Sequence, residues 1–135
     1  MNGFPEAIVH DSASIVFAMA EVRAKFPKTD RILKRELFRR VYEQGRKVQF
    51  KYFTAFVLAK QDDGARIGVT TTRKIGNAVE RNRARRLVRE AFRKNKWLAP
   101  NGVDIVINVK RPLVEAHYRD LEGEFITFLQ RAVDK

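Results

Sequence analysis

The apolar positions change period several times along the chain, and each change marks an element. Leu33, Leu37 and Val41 recur at four-residue spacing with Phe38 and Tyr42 beside them, which predicts an amphipathic helix over residues 31–44. Thr29 or Asp30 can cap its start, and Gly45 can end it. Over residues 48–60 the pattern becomes alternation. Phe50, Tyr52, Thr54, Phe56 and Leu58 point one way, and Phe53, Ala55, Val57 and Ala59 the other. Both faces are rather apolar, so a strand covered on both sides is expected, with aromatic rings to spare on one of them. Gln61-Asp62-Asp63-Gly64 is a turn, and residues 66–72, rich in Val, Ile and Thr, form a second strand; a hairpin is the natural connection.

Residues 73–78 read as a loop around Gly76-Asn77, and residues 79–96 as a strong helix. Pro100-Asn101-Gly102 turns the chain into a short buried strand, Val103–Val109, which Pro112 ends. A closing helix over residues 114–133 collects Tyr118, Leu121, Phe125, Phe128, Leu129 and Ala132 on one side. This mixed order predicts an α+β sandwich, one sheet covered by helices.

Charge changes the picture next. Lys and Arg number 28 against 16 acids, a net charge of +12, and all 28 basic residues lie from Arg23 onward. Residues 1–22 hold only the acids Glu6, Asp11 and Glu21, so residues 1–25 read as an acidic, flexible extension and residues 26–135 as the functional domain. So large an excess repels itself unless a polyanion offsets it. Ten Phe and three Tyr can stack on bases, which favours nucleic acid over a membrane, although core packing is the ordinary fate of such rings. The chain has no cysteine, which fits a reducing cytoplasm and removes thiolate sites. His10 and His117 lie far apart without metal-spaced partners. No apolar run approaches the ~18–20 residues that span a bilayer.

The charge concentrates between Arg73 and Lys96, with ten basic residues and two acids, Glu80 and Glu90. At 100° per residue Arg81, Arg85, Arg89 and Arg93 form one row, with Asn82 and Arg86 beside it, and Ala84, Leu87, Val88, Ala91 and Phe92 form a separate apolar arc. Such a helix can anchor in a core and still present guanidinium forks to phosphates. A merely solvated basic face is the alternative. Two acids are too few to satisfy it, and like charges four apart destabilise an isolated helix.

The run Lys74-Ile-Gly-Asn-Ala-Val-Glu-Arg-Asn-Arg-Ala-Arg-Arg-Leu-Val-Arg-Glu-Ala-Phe92 closely resembles the signature of the bacterial ribonuclease P protein component, with Arg81-Asn82-Arg83 in the place of that family's Arg-Asn-Arg box. Phe26-Pro-Lys-Thr-Asp-Arg-Ile-Leu-Lys-Arg35, Arg66-Ile-Gly-Val, Arg73-Lys74 and Asp104-Ile-Val-Ile extend the likeness. The resemblance implies an α-β-β-β-α-β-α order, with a mainly antiparallel sheet and a left-handed βαβ crossover; residues 47–49 would then be a separate first strand. It implies that Arg81, Asn82, Arg83, Arg85, Arg86, Arg89 and Arg93 dock on the catalytic RNA. It also implies that Phe38, Tyr42, Phe56, Thr70, Arg73 and Lys74 receive the single-stranded 5′ leader of precursor tRNA. Catalysis would belong to the RNA with bound Mg²⁺, and the protein, a monomer in the cytoplasm, would bind leader and RNA together and lower the metal requirement. Composition alone suits a generic RNA-binding module, such as a ribosomal protein, or a basic DNA-binding protein equally well; only the long motif separates them. A self-sufficient metal-dependent nuclease is disfavoured by the lack of clustered histidines or paired carboxylates.

Overall fold

The computed structural model describes residues 30–61 and 63–134; the acidic extension lies outside them. The elements are α1 (Arg35–Gln44), β1 (Arg46–Gln49), β2 (Phe53–Ala59), β3 (Ala65–Thr70), α2 (Ala78–Asn95), β4 (Val103–Val109) and α3 (Tyr118–Asp134), with short 3₁₀ turns at Arg73–Ile75, Lys96–Leu98 and Arg111–Glu115. One four-stranded sheet runs β1-β2-β4-β3. Its first two pairings are antiparallel, and β3 and β4 are parallel, joined through α2. The α+β class and the element order agree with the sequence pattern.

Four local expectations do not hold. The long strand read from alternation breaks at residues 50–52, leaving the separate first strand that the resemblance implied, so β1 and β2 form the hairpin. The alternation holds within β2, where Phe53, Ala55 and Val57 face the α2–α3 core and Phe56 and Leu58 face α1, but it does not carry across the break, and Phe50 and Tyr52 pack against the α2–α3 core instead of standing with Phe56 and Leu58. No hairpin joins β2 to β3, because β4 inserts between them, pairing with β2 over Val103–Val109 and with β3 over residues 103–108. The first helix begins at Arg35, not at residue 31. Its N-cap Lys34 makes no side-chain cap, Asp30 is paired instead with Lys96 at 2.7 Å, and Thr29 is outside the described residues. Arg31 bridges the edge of β3 at Ile67, Ile32 N–H donates to Ile67 O, and Leu33 is left exposed. The closing helix likewise starts late, at Tyr118, after the Pro112-containing 3₁₀ turn.

The sheet has apolar matter on both faces. Odd-numbered β4 residues join Phe53, Phe92, Phe125 and Phe128 beneath α2 and α3. On the opposite face Val41 of α1 is buried with Ile32 and Val106, and Leu37, Phe38, Tyr42, Phe56 and Leu58 pack around them. Gly45 permits the turn from α1 into β1, since a Cβ there would meet Val41 O at 2.5 Å and Val57 O at 3.0 Å.

α2 starts on a capping box. Asn77 Oδ1 accepts from Glu80 N–H at 2.8 Å, and Glu80 Oε1 accepts from Asn77 N–H at 2.9 Å. Replacing Asn77 with Ala is expected to lower stability by about 1 kcal/mol, measured as a shift in the urea midpoint at unchanged slope. No measurable shift would mean the helix start is held by its packing alone.

Candidate nucleic-acid interface

The arginine row on α2 forms as its spacing requires. Arg31, from the segment that bridges β3, closes over it, and a cleft of about 410 Å³ is lined by Arg31, Asn82, Arg85, Arg86, Arg89, Glu90 and Arg93. How each cation is partnered decides what the cleft can bind. Arg81 donates to Gly76 O at 2.8 Å. Arg85 donates to Thr71 Oγ1 at 2.5 Å and to Asn82 Oδ1. These acceptors are neutral, so they orient the guanidiniums without cancelling their charge. Arg86 and Arg89 are exposed and make no hydrogen bond or ion pair among the described residues. Desolvation, followed by repulsion from Arg31 and Arg85, moves the Arg89 pKa below the usual arginine value. Among the described residues only Arg93 in the row meets a carboxylate, that of Glu90, which also lies 3.6 Å from Lys94. Three of the four row positions therefore keep uncompensated charge.

Arg83 lies off this row. Two residues on from Arg81 it is ~200° round the helix, and it donates to Val114 O at 2.7 Å and Ala116 O at 3.2 Å, bracing the last 3₁₀ turn. Arg31 is the converse case. Its place in the cleft comes from the Ile67 bridge, and helical periodicity in its own segment gave no signal of it.

A second surface lies between α1 and the sheet. Phe38 packs directly on the backbone of β3: a Cβ at Gly68 would stand 2.5 Å from its ring. Tyr42 and Phe56 meet edge to face at 4.9 Å, and Lys47 Nζ lies 6.0 Å from the Phe56 centroid. The Tyr42 hydroxyl contacts Thr70 Oγ1 at 2.9 Å, and both hydroxyls donate to Asn108 Oδ1. Phe38, Tyr42, Phe56 and Thr70 are thus brought together, each half-buried. Arg73 and Lys74 follow in the 3₁₀ turn after β3, exposed. Asn108 was not foreseen; the one signal was an amide inside an otherwise aliphatic run. The two surfaces adjoin, because Thr70 serves the aromatic cleft and its neighbour Thr71 holds Arg85.

Among the described residues no three His, Cys, Asp or Glu side chains converge. His117 is exposed, and His10 lies outside the described residues. No described helix is long and apolar enough to cross a membrane.

Comparison with known proteins gives one answer. The family model described as Ribonuclease P matches residues 26–133. A Ribonuclease P protein component from Desulforapulum autotrophicum is 36% identical over 108 residues, 80% of this chain and 92% of that protein. One from Syntrophus aciditrophicus is 43% identical over 104 residues, 77% and 87% of the two chains. The solved RNase P protein from Thermotoga maritima superposes with a TM-score of 0.70 at 30% identity, over 75% of this chain and 96% of that one. That from Staphylococcus aureus gives 0.68 at 28%, over 76% and 94%.

Proposed function

The chain belongs to the bacterial ribonuclease P protein family, and on that premise we propose that it binds the catalytic RNA through the α2 arginine row and the 5′ leader of precursor tRNA in the α1–sheet cleft. The supporting observation is the junction at Thr70 and Thr71, which sets a ridge of uncompensated guanidiniums beside a half-buried aromatic cleft. A structured RNA offers phosphates to the first surface. A single strand offers unstacked bases to the second. Arg73 and Lys74, exposed in the turn that follows Thr70 and Thr71, neutralise phosphates of the bound strand.

The reaction is endonucleolytic removal of the leader, which leaves a mature tRNA 5′ end. Phosphodiester hydrolysis is assigned to the RNA subunit with its Mg²⁺. The protein holds substrate and catalytic RNA together and reduces their phosphate repulsion, so less Mg²⁺ is needed for the same activity.

Reconstitution with a bacterial ribonuclease P RNA tests this reading. Adding the protein should lower the Mg²⁺ concentration for half-maximal cleavage, and protein alone with Mg²⁺ should leave precursor tRNA intact. Cleavage at the 5′ junction without RNA would overturn the division of labour. Phe38→Ala should weaken binding of leader-bearing tRNA by about 1 kcal/mol, the low end of the stacking range because the ring is half-buried, and leave mature tRNA unaffected. Equal losses for both would indicate damage to the fold.

A further inference from the structure

Even-numbered residues of β4 face α1, and two of them are polar. The charge of Asp104 is met by a two-pronged bond from Arg66 at 2.8 Å on each arm. Asn108 has no such explanation. An aliphatic residue is the ordinary occupant of an inner strand, yet here an amide stands in a polar row across the whole sheet, through the pairings Gln49↔Thr54, Thr54↔Asn108 and Asn108↔Thr70. Its Oδ1 accepts from both Tyr42 and Thr70, which fills both of its lone pairs. Its Nδ2 donates to nothing among the described residues, in a side chain that is only half-buried. The hydroxyls thus fix the orientation of the amide and leave its donor end to the cleft.

We propose that Asn108 is a specificity-determining residue whose Nδ2–H reads the keto oxygen of one unpaired base beside Tyr42, favouring uracil and guanine over cytosine and adenine. This rests on the reading of the cleft as the seat of the leader strand. The discrimination follows from base chemistry: O4 of uracil and O6 of guanine accept a hydrogen bond where the amino groups of cytosine and adenine donate. An amino group set against Nδ2–H leaves two donors facing each other in a partly desolvated cleft. The Tyr42–Thr70 pair acts through Asn108 and positions it.

The test is competition binding of precursor tRNAs carrying each of the four bases at successive single leader positions, using holoenzyme reconstituted with the RNA subunit. At one position uracil and guanine should bind roughly three- to tenfold tighter than cytosine and adenine, the size of one net hydrogen bond. Asn108→Asp keeps the acceptors for Tyr42 and Thr70 but has no N–H, and should turn the preference toward adenine and cytosine. Asn108→Val should flatten it, with affinity for the catalytic RNA unchanged as the sign of an intact fold. A leader advantage over mature tRNA with no keto preference at any position overturns the proposal, as does a preference that Asn108→Asp leaves in place. Wild-type holoenzyme that binds leader-bearing and mature tRNA equally would instead sink the cleft reading beneath it.

Discussion

Arg85→Ala combined with Arg89→Ala is expected to weaken binding to the catalytic RNA by roughly 10- to 100-fold near physiological salt, and to reduce the slope of log affinity against log salt by about 1 to 2. The free protein holds these charges at a cost. Arg89 has no ion pair or hydrogen bond among the described residues, and desolvation with the Arg31 and Arg85 charges disfavours its protonated form. A phosphate in the cleft relieves that repulsion and releases counterions, so removing two guanidiniums removes two such exchanges. Since the repulsion acts wherever arginine is charged, Arg89→Ala alone should leave the unfolding midpoint unchanged or raised. Arg83→Ala provides the contrast. It removes two charge-assisted bonds to Val114 and Ala116 and should destabilise the fold while leaving the salt slope as it was. A double Arg85/Arg89 variant with wild-type slope would remove the ridge from the RNA interface.

Phe125→Ala should have the largest effect on stability, about 3–5 kcal/mol. The ring is fully buried and stands 5.7 Å from Phe128, 5.9 Å from Phe53 and 6.5 Å from Phe92, so it joins α3 to α2 and to the sheet at one point. Its removal costs the transfer energy of the ring and leaves a cavity whose walls come from three different elements, which cannot all close in together. The urea midpoint should fall with little change in slope. Phe56→Ala, on the half-buried α1 face, should cost clearly less. A loss below about 1.5 kcal/mol at Phe125 would mean that the neighbouring rings refill the space.

Much of the site was legible in the chain because its signals are local. The row at positions 81, 85, 89 and 93 needs only helical periodicity and the scarcity of acids nearby. The same periodicity leaves Arg83 outside the row, two residues of helix away on the other side; only the resemblance, through the Arg-Asn-Arg box, grouped it with the RNA-docking residues. On α1, Phe38 and Tyr42 lie on one face for the same local reason, but their status as cleft walls depends on Gly68 and Phe56, residues 30 and 14 positions further on.

By itself the sequence determined the helices, most strand positions, the concentration of positive charge on α2 and the family, since each rests on residues a few places apart. Tertiary structure alone decided that β4 lies between β2 and β3, that Arg31 closes over the α2 row, and that Asn108 meets Tyr42 and Thr70. Periodicity states which face a side chain takes and not which strand lies next to it; neighbours across a sheet are chosen by how the whole chain buries its two apolar faces at once.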